Sequence, residues 1–165
     1  MLRPPRGEGA HYVSSDDRTV FNATTGERVR FMLTAEQTGG EILVMEDHWT
    51  RPGHVVPRHI HPGMEERWTV IQGTVAYTIG DAEIIAHPGD KVSAPAGTPH
   101  WARDVGREEV VVRIEMRPPL RWEEFMRQLF ALAGESFDDD VAARSFQELF
   151  TEFAPEIELA PEITT

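Results

Sequence analysis

The chain has no cysteine, which excludes disulfides, thiolate metal ligands and a cysteine nucleophile. That absence suits a reducing compartment, so a cytoplasmic location is expected. Long apolar runs are missing as well. Nothing approaches the roughly 20 residues needed to cross a bilayer. The opening Met1-Leu2-Arg3-Pro4-Pro5-Arg6-Gly7 lacks the apolar stretch of a signal peptide, and no membrane partner is expected. Positive charge is scarce: 16 Lys and Arg stand against 28 Asp and Glu, for a formal net charge of -12. That field repels a nucleic acid but tolerates a neutral or cationic small molecule.

What the chain does have is punctuation. Thirteen Gly and 12 Pro in 165 residues suit short strands joined by turns. The length suits one domain with one sizeable core.

The chemistry concentrates in His59-Ile60-His61, Glu66 and His100. Residues i and i+2 share a face in a strand, whereas a helix needs i and i+3 or i+4. The two imidazoles therefore reach one point only if this segment is extended. Glu66 follows the turn signal Pro62-Gly63 and is expected to start the neighbouring antiparallel strand, facing the same way. His100 follows Pro95-Ala96-Gly97-Thr98-Pro99 and opens a third strand. Three imidazoles and one carboxylate suit one divalent transition metal, whether Fe, Mn, Co, Ni, Cu or Zn, rather than the all-oxygen sites of Ca or Mg. An HxH pair among seven histidines is often incidental, and His48, His54 and His87 read as turn or surface residues.

The flanking residues sharpen the reading. Gly53, His59, His61, Glu66 and Gly73 stand as G-x5-H-x-H-x4-E-x6-G, and Gly89, Pro95, Gly97 and His100 as G-x5-P-x-G-x2-H. The chain thereby resembles a small single-domain cupin. The resemblance implies an all-β, double-stranded β-helix (jelly-roll) barrel and metal ligation by His59, His61, Glu66 and His100. It also makes Glu66 a candidate catalytic base. Asp104 stands where the second motif usually has Asn, a departure that bears on a turn or strand-end contact and not on the metal.

Along the chain, residues 1–18 read as an arm and 19–117 as the barrel. Val29, Phe31 and Leu33 alternate with Arg28, Arg30 and Met32, Val75, Tyr77 and Ile79 with Thr74, Ala76 and Thr78, and Val110, Val112, Ile114 and Met116 with Val111, Arg113 and Glu115. Beyond Pro118-Pro119 the period changes to 3.6. Residues 118–155 are expected to form one or two helices, with Gly134 as a C-terminal cap and Asp138-Asp139-Asp140 at a helix start. Their apolar stripes are expected to pack outside the barrel or across a dimer, the alternative being a lid over its mouth. Residues 156–165 read as a loose acidic tail.

Strand parity with the ligands places Trp68, Val70, Tyr77 and Ala102 in a substrate pocket that is aromatic, apolar and poor in charge. The expected function is that of a metal-dependent enzyme acting on a small hydrophobic or aromatic molecule, by dioxygenase-like or polyketide-cyclase-like chemistry. The alternative is a non-catalytic cupin that binds a metabolite or senses metal. The arm, the helical stripes and the exposed sheet edges point to a homodimer.

Overall fold

The computed structural model describes residues 17–135 and 138–161. Most of the expected N-terminal arm and residues 162–165 of the tail lie outside the described residues.

Among the described residues, eleven strands form two sheets. The first contains, in spatial order, β1 (Thr19–Phe21), β2 (Glu27–Leu33), β3 (Leu43–Trp49), β10 (Val110–Arg117), β5 (Glu65–Gln72) and β8 (Lys91–Ala94). The second contains β11 (Glu158–Leu159), β4 (Val55–Ile60), β9 (His100–Asp104), β6 (Val75–Ile79) and β7 (Ala82–Ala86). Neighbours pair antiparallel throughout. The two sheets enclose one core, the jelly-roll arrangement expected of the paired motifs.

Period-2 alternation decides which side chains face that core. In β3, Leu43, Met45, Asp47 and Trp49 are buried while Val44, Glu46 and His48 are half-exposed. Pairing lines these up with their neighbours. Glu27 lies beside Trp49, and Val29 beside Asp47. Ile114 stands between Met45 and Trp68, and Met116 beside Glu66. Leu33 departs from its expected inward place: the register shifts between Phe31 and Leu33, which leaves Leu33 exposed.

Two corrections concern the ends of the barrel. Glu66 does not start a strand next to His59 and His61. β4 pairs with β9 and β11, while β5 pairs with β10 and β8 in the other sheet, so Glu66 meets the histidines across the sandwich. The stretch after Pro155 is not loose either. Ile157 is buried, and β11 adds an edge strand to β4 with Leu159 opposite His59.

Helices α1 (Trp122–Ala133) and α2 (Asp139–Glu152) follow the barrel. Gly134 caps α1 with ordinary negative φ, its N–H reaching the carbonyls of Ala131 and Leu132. Asp138 caps α2 by accepting a 2.9 Å hydrogen bond from Val141 N–H. The apolar stripes do not pack on the outer wall of the barrel. Phe125, Met126, Phe130 and Phe150 line the interior cavity together with the strands, so the helices roof the mouth. Burial of Phe125, Phe130 and Phe153, at about 1.5–3 kcal/mol each, holds the roof in place.

Gly73 and Gly97 both have positive φ, at 85° and 77°, but only one is crowded. A Cβ on Gly73 would lie 2.8 Å from Val110 Cγ2 and 3.1 Å from the Glu109 carbonyl, whereas one on Gly97 would meet nothing within 4 Å. Gly73→Ala is therefore expected to cost about 2–4 kcal/mol and Gly97→Ala about 1 kcal/mol in urea unfolding. Equal costs would show that the close approach of β10 is not what requires glycine.

Candidate metal centre

β4 delivers His59, the residue after its end is His61, β5 delivers Glu66 from the opposite sheet, and β9 opens with His100 directly across from His59. All four are buried, and one ligand atom from each lies within 4.8 Å of every other. The Nε2 atoms of His61 and His100 sit 2.9 and 3.0 Å from Glu66 Oε2. His59 Nε2 is 3.2 Å from His61 Nε2 and 3.9 Å from Glu66 Oε2.

The other ring nitrogens explain why those atoms converge. His59 Nδ1 donates to the Pro57 carbonyl at 2.6 Å, His61 Nδ1 to Glu156 at 2.7 Å and His100 Nδ1 to Thr98 at 2.8 Å. A carbonyl only accepts, so each Nδ1 carries the hydrogen and each neutral ring turns an Nε2 lone pair inward. Three such lone pairs and a carboxylate aimed at one point repel unless protons or a cation lie among them. The donor set therefore fits a divalent transition metal, and the backbone carbonyls supply the outer contacts that orient such ligands.

Protons are the alternative to a cation at this point. Burial disfavours the Glu66 carboxylate, but the hydrogen bonds that His100, His59 and His61 donate when a proton occupies Nε2 outweigh it and hold its pKa well below the usual carboxylate range. Burial lowers the pKa of His59. Burial also opposes charge on His100, yet Glu66 reverses the sign and raises it.

Around the centre lies a cavity of about 610 Å³. Of the expected pocket residues, Trp68 and Ala102 line it. Val70 and Tyr77 do not; they are buried in the core behind the wall, at 1% and 0% exposure. Trp68 stacks edge-on to His100 at 5.4 Å between centroids and leans on Tyr77 at 4.9 Å. The roof adds Trp122, edge-on to His61 at 4.7 Å, with its indole N–H buried and unpartnered. Asp104 resolves the motif departure. One carboxylate oxygen accepts from Gly53 N–H at 3.0 Å and the other from Gly106 N–H at 2.8 Å, a double acceptance that the amide of Asn cannot provide.

Sequence reasoning missed a second polar group in the same cavity. Glu27, Asp47, Trp49 and His54 all line it, and Trp49 Nε1 donates to Asp47 Oδ2 at 2.9 Å. His54, expected at a surface turn, is instead largely buried, with its ring 4.8 Å from that of Trp49. The signal was available: Glu27 shares the parity of Val29 and Phe31, and Asp47 that of Met45 and Trp49. Burial raises Glu27 well above the usual carboxyl range, with Asp47 adding to it. Burial likewise pushes Asp47 up to about 6.

Comparison with known proteins places this geometry. The family model described as Cupin domain matches residues 50–115. Among solved structures, a predicted oxalate decarboxylase from Thermotoga maritima superposes with a TM-score of 0.53 at 17% identity, covering 61% of this chain and 90% of that one. An RmlC-like cupin from Shewanella frigidimarina superposes with a TM-score of 0.52 at 13% identity, covering 66% and 90%. At these identities the likeness establishes the fold alone. No curated protein matches in sequence.

The raised pKa of Asp47 carries a sign. Its proton is held more tightly in the folded chain than in the unfolded one, so ionisation costs stability progressively from about pH 4 and fully above about pH 6. Asp47→Asn, which keeps an acceptor for Trp49, is expected to raise Tm at pH 8 by on the order of 5 °C and by much less at pH 4. A calorimetric gain that does not grow with pH would refute the assignment.

Proposed function

Since the chain is a cupin-superfamily protein with a buried three-histidine, one-glutamate cluster, we propose that it is a metal-dependent enzyme acting on a small, largely apolar molecule, in the manner of cupin dioxygenases or polyketide cyclases. One observation carries this reading: the converging donor atoms border an aromatic cavity roofed by two helices. A bound divalent ion would supply Lewis-acid or redox chemistry there. His59, His61, His100 and Glu66 would hold it, and the hydrogen bonds to Pro57, Glu156 and Thr98 fix their ring orientations. Trp68 and Ala102 wall the substrate, Trp122 and the roof exclude water, and Glu66 is the candidate base. A sugar-phosphate substrate fits poorly, because no Lys or Arg is among the described residues lining the cavity.

The setting is proposed to be cytoplasmic; no described helix is long and apolar enough to cross a membrane. A homodimer is proposed from the open edges β1 and β7 and the exposed Phe21, Ile84 and Ile85. Light scattering at micromolar concentrations should give twice the 18.6 kDa chain mass; a monomer there removes the proposal.

Elemental analysis of protein purified without a nickel column should find about one transition metal per chain, and X-ray absorption should give ligand bonds of about 2.0–2.3 Å. Replacing His59 and His61 together with Ala should abolish it, and full metal content in that variant would sink the assignment. Oxygen consumption and product formation on catechols, flavonols and diketones test turnover. Glu66→Gln should lose more activity than metal, since an amide oxygen ligates weakly but takes no proton. Loss only in proportion to metal makes Glu66 a ligand alone. A metabolite that co-purifies without metal-dependent turnover shifts the reading to a binding or sensing protein.

A further inference from the structure

The second polar group is built differently from the metal centre. Glu27 and Trp49 face each other across β2 and β3, with Asp47 one inward step along the same strand. Asp47 is 3% exposed, its Oδ2 is held by the Trp49 indole and its Oδ1 meets no N–H donor, while the neighbouring Glu27 carboxyl, when protonated, hydrogen-bonds to Asp47. A buried carboxylate oxygen with no fixed N–H or cationic partner costs stability, and this one belongs to a residue on the cavity wall. The charged residues lining that cavity are Glu27, Asp47, Glu66 and Glu135, with no described Lys or Arg to balance them. A hydrophobic chamber with carboxylates, indole rings and no fixed cation has the chemistry that binds an organic ammonium.

Taking the cavity as the substrate chamber, as the proposed function does, we propose that its substrate is a hydrophobic amine whose ammonium is recognised by Asp47 Oδ1 beside the Trp49 indole. Sheet register sets the direction of the ligand. Met45, Ile114 and Trp68 form the inward row between Asp47 and Glu66, and all three line the cavity. An apolar body lying over that row extends from the carboxylates at one end towards the histidine cluster at the other. His54 does not pre-empt the cation's place, because burial lowers its pKa and favours the neutral ring. Glu27 is pushed towards its protonated form by burial and by Asp47, so the pair presents one negative charge rather than two.

The test is calorimetric titration of the full chain at pH 8 with 2-phenylethylamine, 2-phenylethanol and 3-phenylpropionate. The amine is expected to bind at least about tenfold tighter than the alcohol, with no binding of the acid. In Asp47→Asn the amine should fall to the affinity of the alcohol, while the alcohol is unchanged. The comparison within the unaltered protein decides the matter even if that variant folds poorly. Equal binding of amine and alcohol, retained amine affinity in Asp47→Asn, or no amine binding at millimolar concentration each overturns the proposal; in the last case Asp47 Oδ1 serves a structural water instead. Metal analysis of the same protein separates the two readings. Amine selectivity in a chain that takes up no transition metal even when one is supplied defeats the metal-dependent function alone, whereas one metal per chain without amine selectivity defeats the amine alone.

Discussion

Lone pairs on three imidazoles and a carboxylate, pointed at one place inside a protein, repel one another unless positive charge lies between them. The barrel holds them there by hydrogen bonds that a mobile side chain could not supply. Each histidine is pinned through Nδ1 to a main-chain carbonyl, and main-chain carbonyls move only if strands or turns move. Because His59 and His100 come from one sheet and Glu66 from the other, the cluster exists only when the sandwich is closed. The turn before His100 reinforces the arrangement, with Gly97 N–H donating to the His61 carbonyl at 2.8 Å.

The same chamber holds charge where a core prefers none. Four carboxyl groups with no described Lys or Arg line a largely apolar cavity. Burial and mutual proximity push Glu27 and Asp47 towards protonation, so the two acids hold less charge than their number suggests. A core selected for stability alone would place amides or aliphatics at Glu27 and Asp47. Retaining acids at both positions trades folding free energy for a local potential, which is where functional sites are commonly found.

The sequence made the four-residue cluster legible because the spacing of its members is a local property. Two histidines at i and i+2, a rigid turn, and a third at a strand start leave little freedom once the segments are extended. Strand alternation also placed Trp68 and Ala102 on the cavity wall. Legibility failed wherever the answer depended on which strands become neighbours. Glu66 was expected beside His59 and is across from it, a matter of sheet order that parity does not encode. Val70 and Tyr77 have the right parity but lie behind the wall, since parity gives a face and not a depth. The helical stripes were read correctly as apolar, yet their partner is the open mouth of the barrel, a surface assembled from both sheets. Glu27 and Asp47 form no spacing motif of their own; only the parity they share with Val29 and Met45 marks them, and acids at core parity are the more unusual signal.

The carbonyl that fixes His61 belongs to Glu156, in the short stretch between α2 and β11. One end of that stretch is anchored in the roof by the buried Phe153, and the other is laced to β4 opposite His59. A roof movement large enough to widen the mouth must either carry this stretch along or strain it against the β11 ladder. Ligand geometry and access to the chamber thus share a mechanical element. Whatever favours the closed roof also favours the oriented His61 ring, and by reciprocity a cation held by the four side chains would resist opening. The molecule in this sense couples its threshold to its hearth.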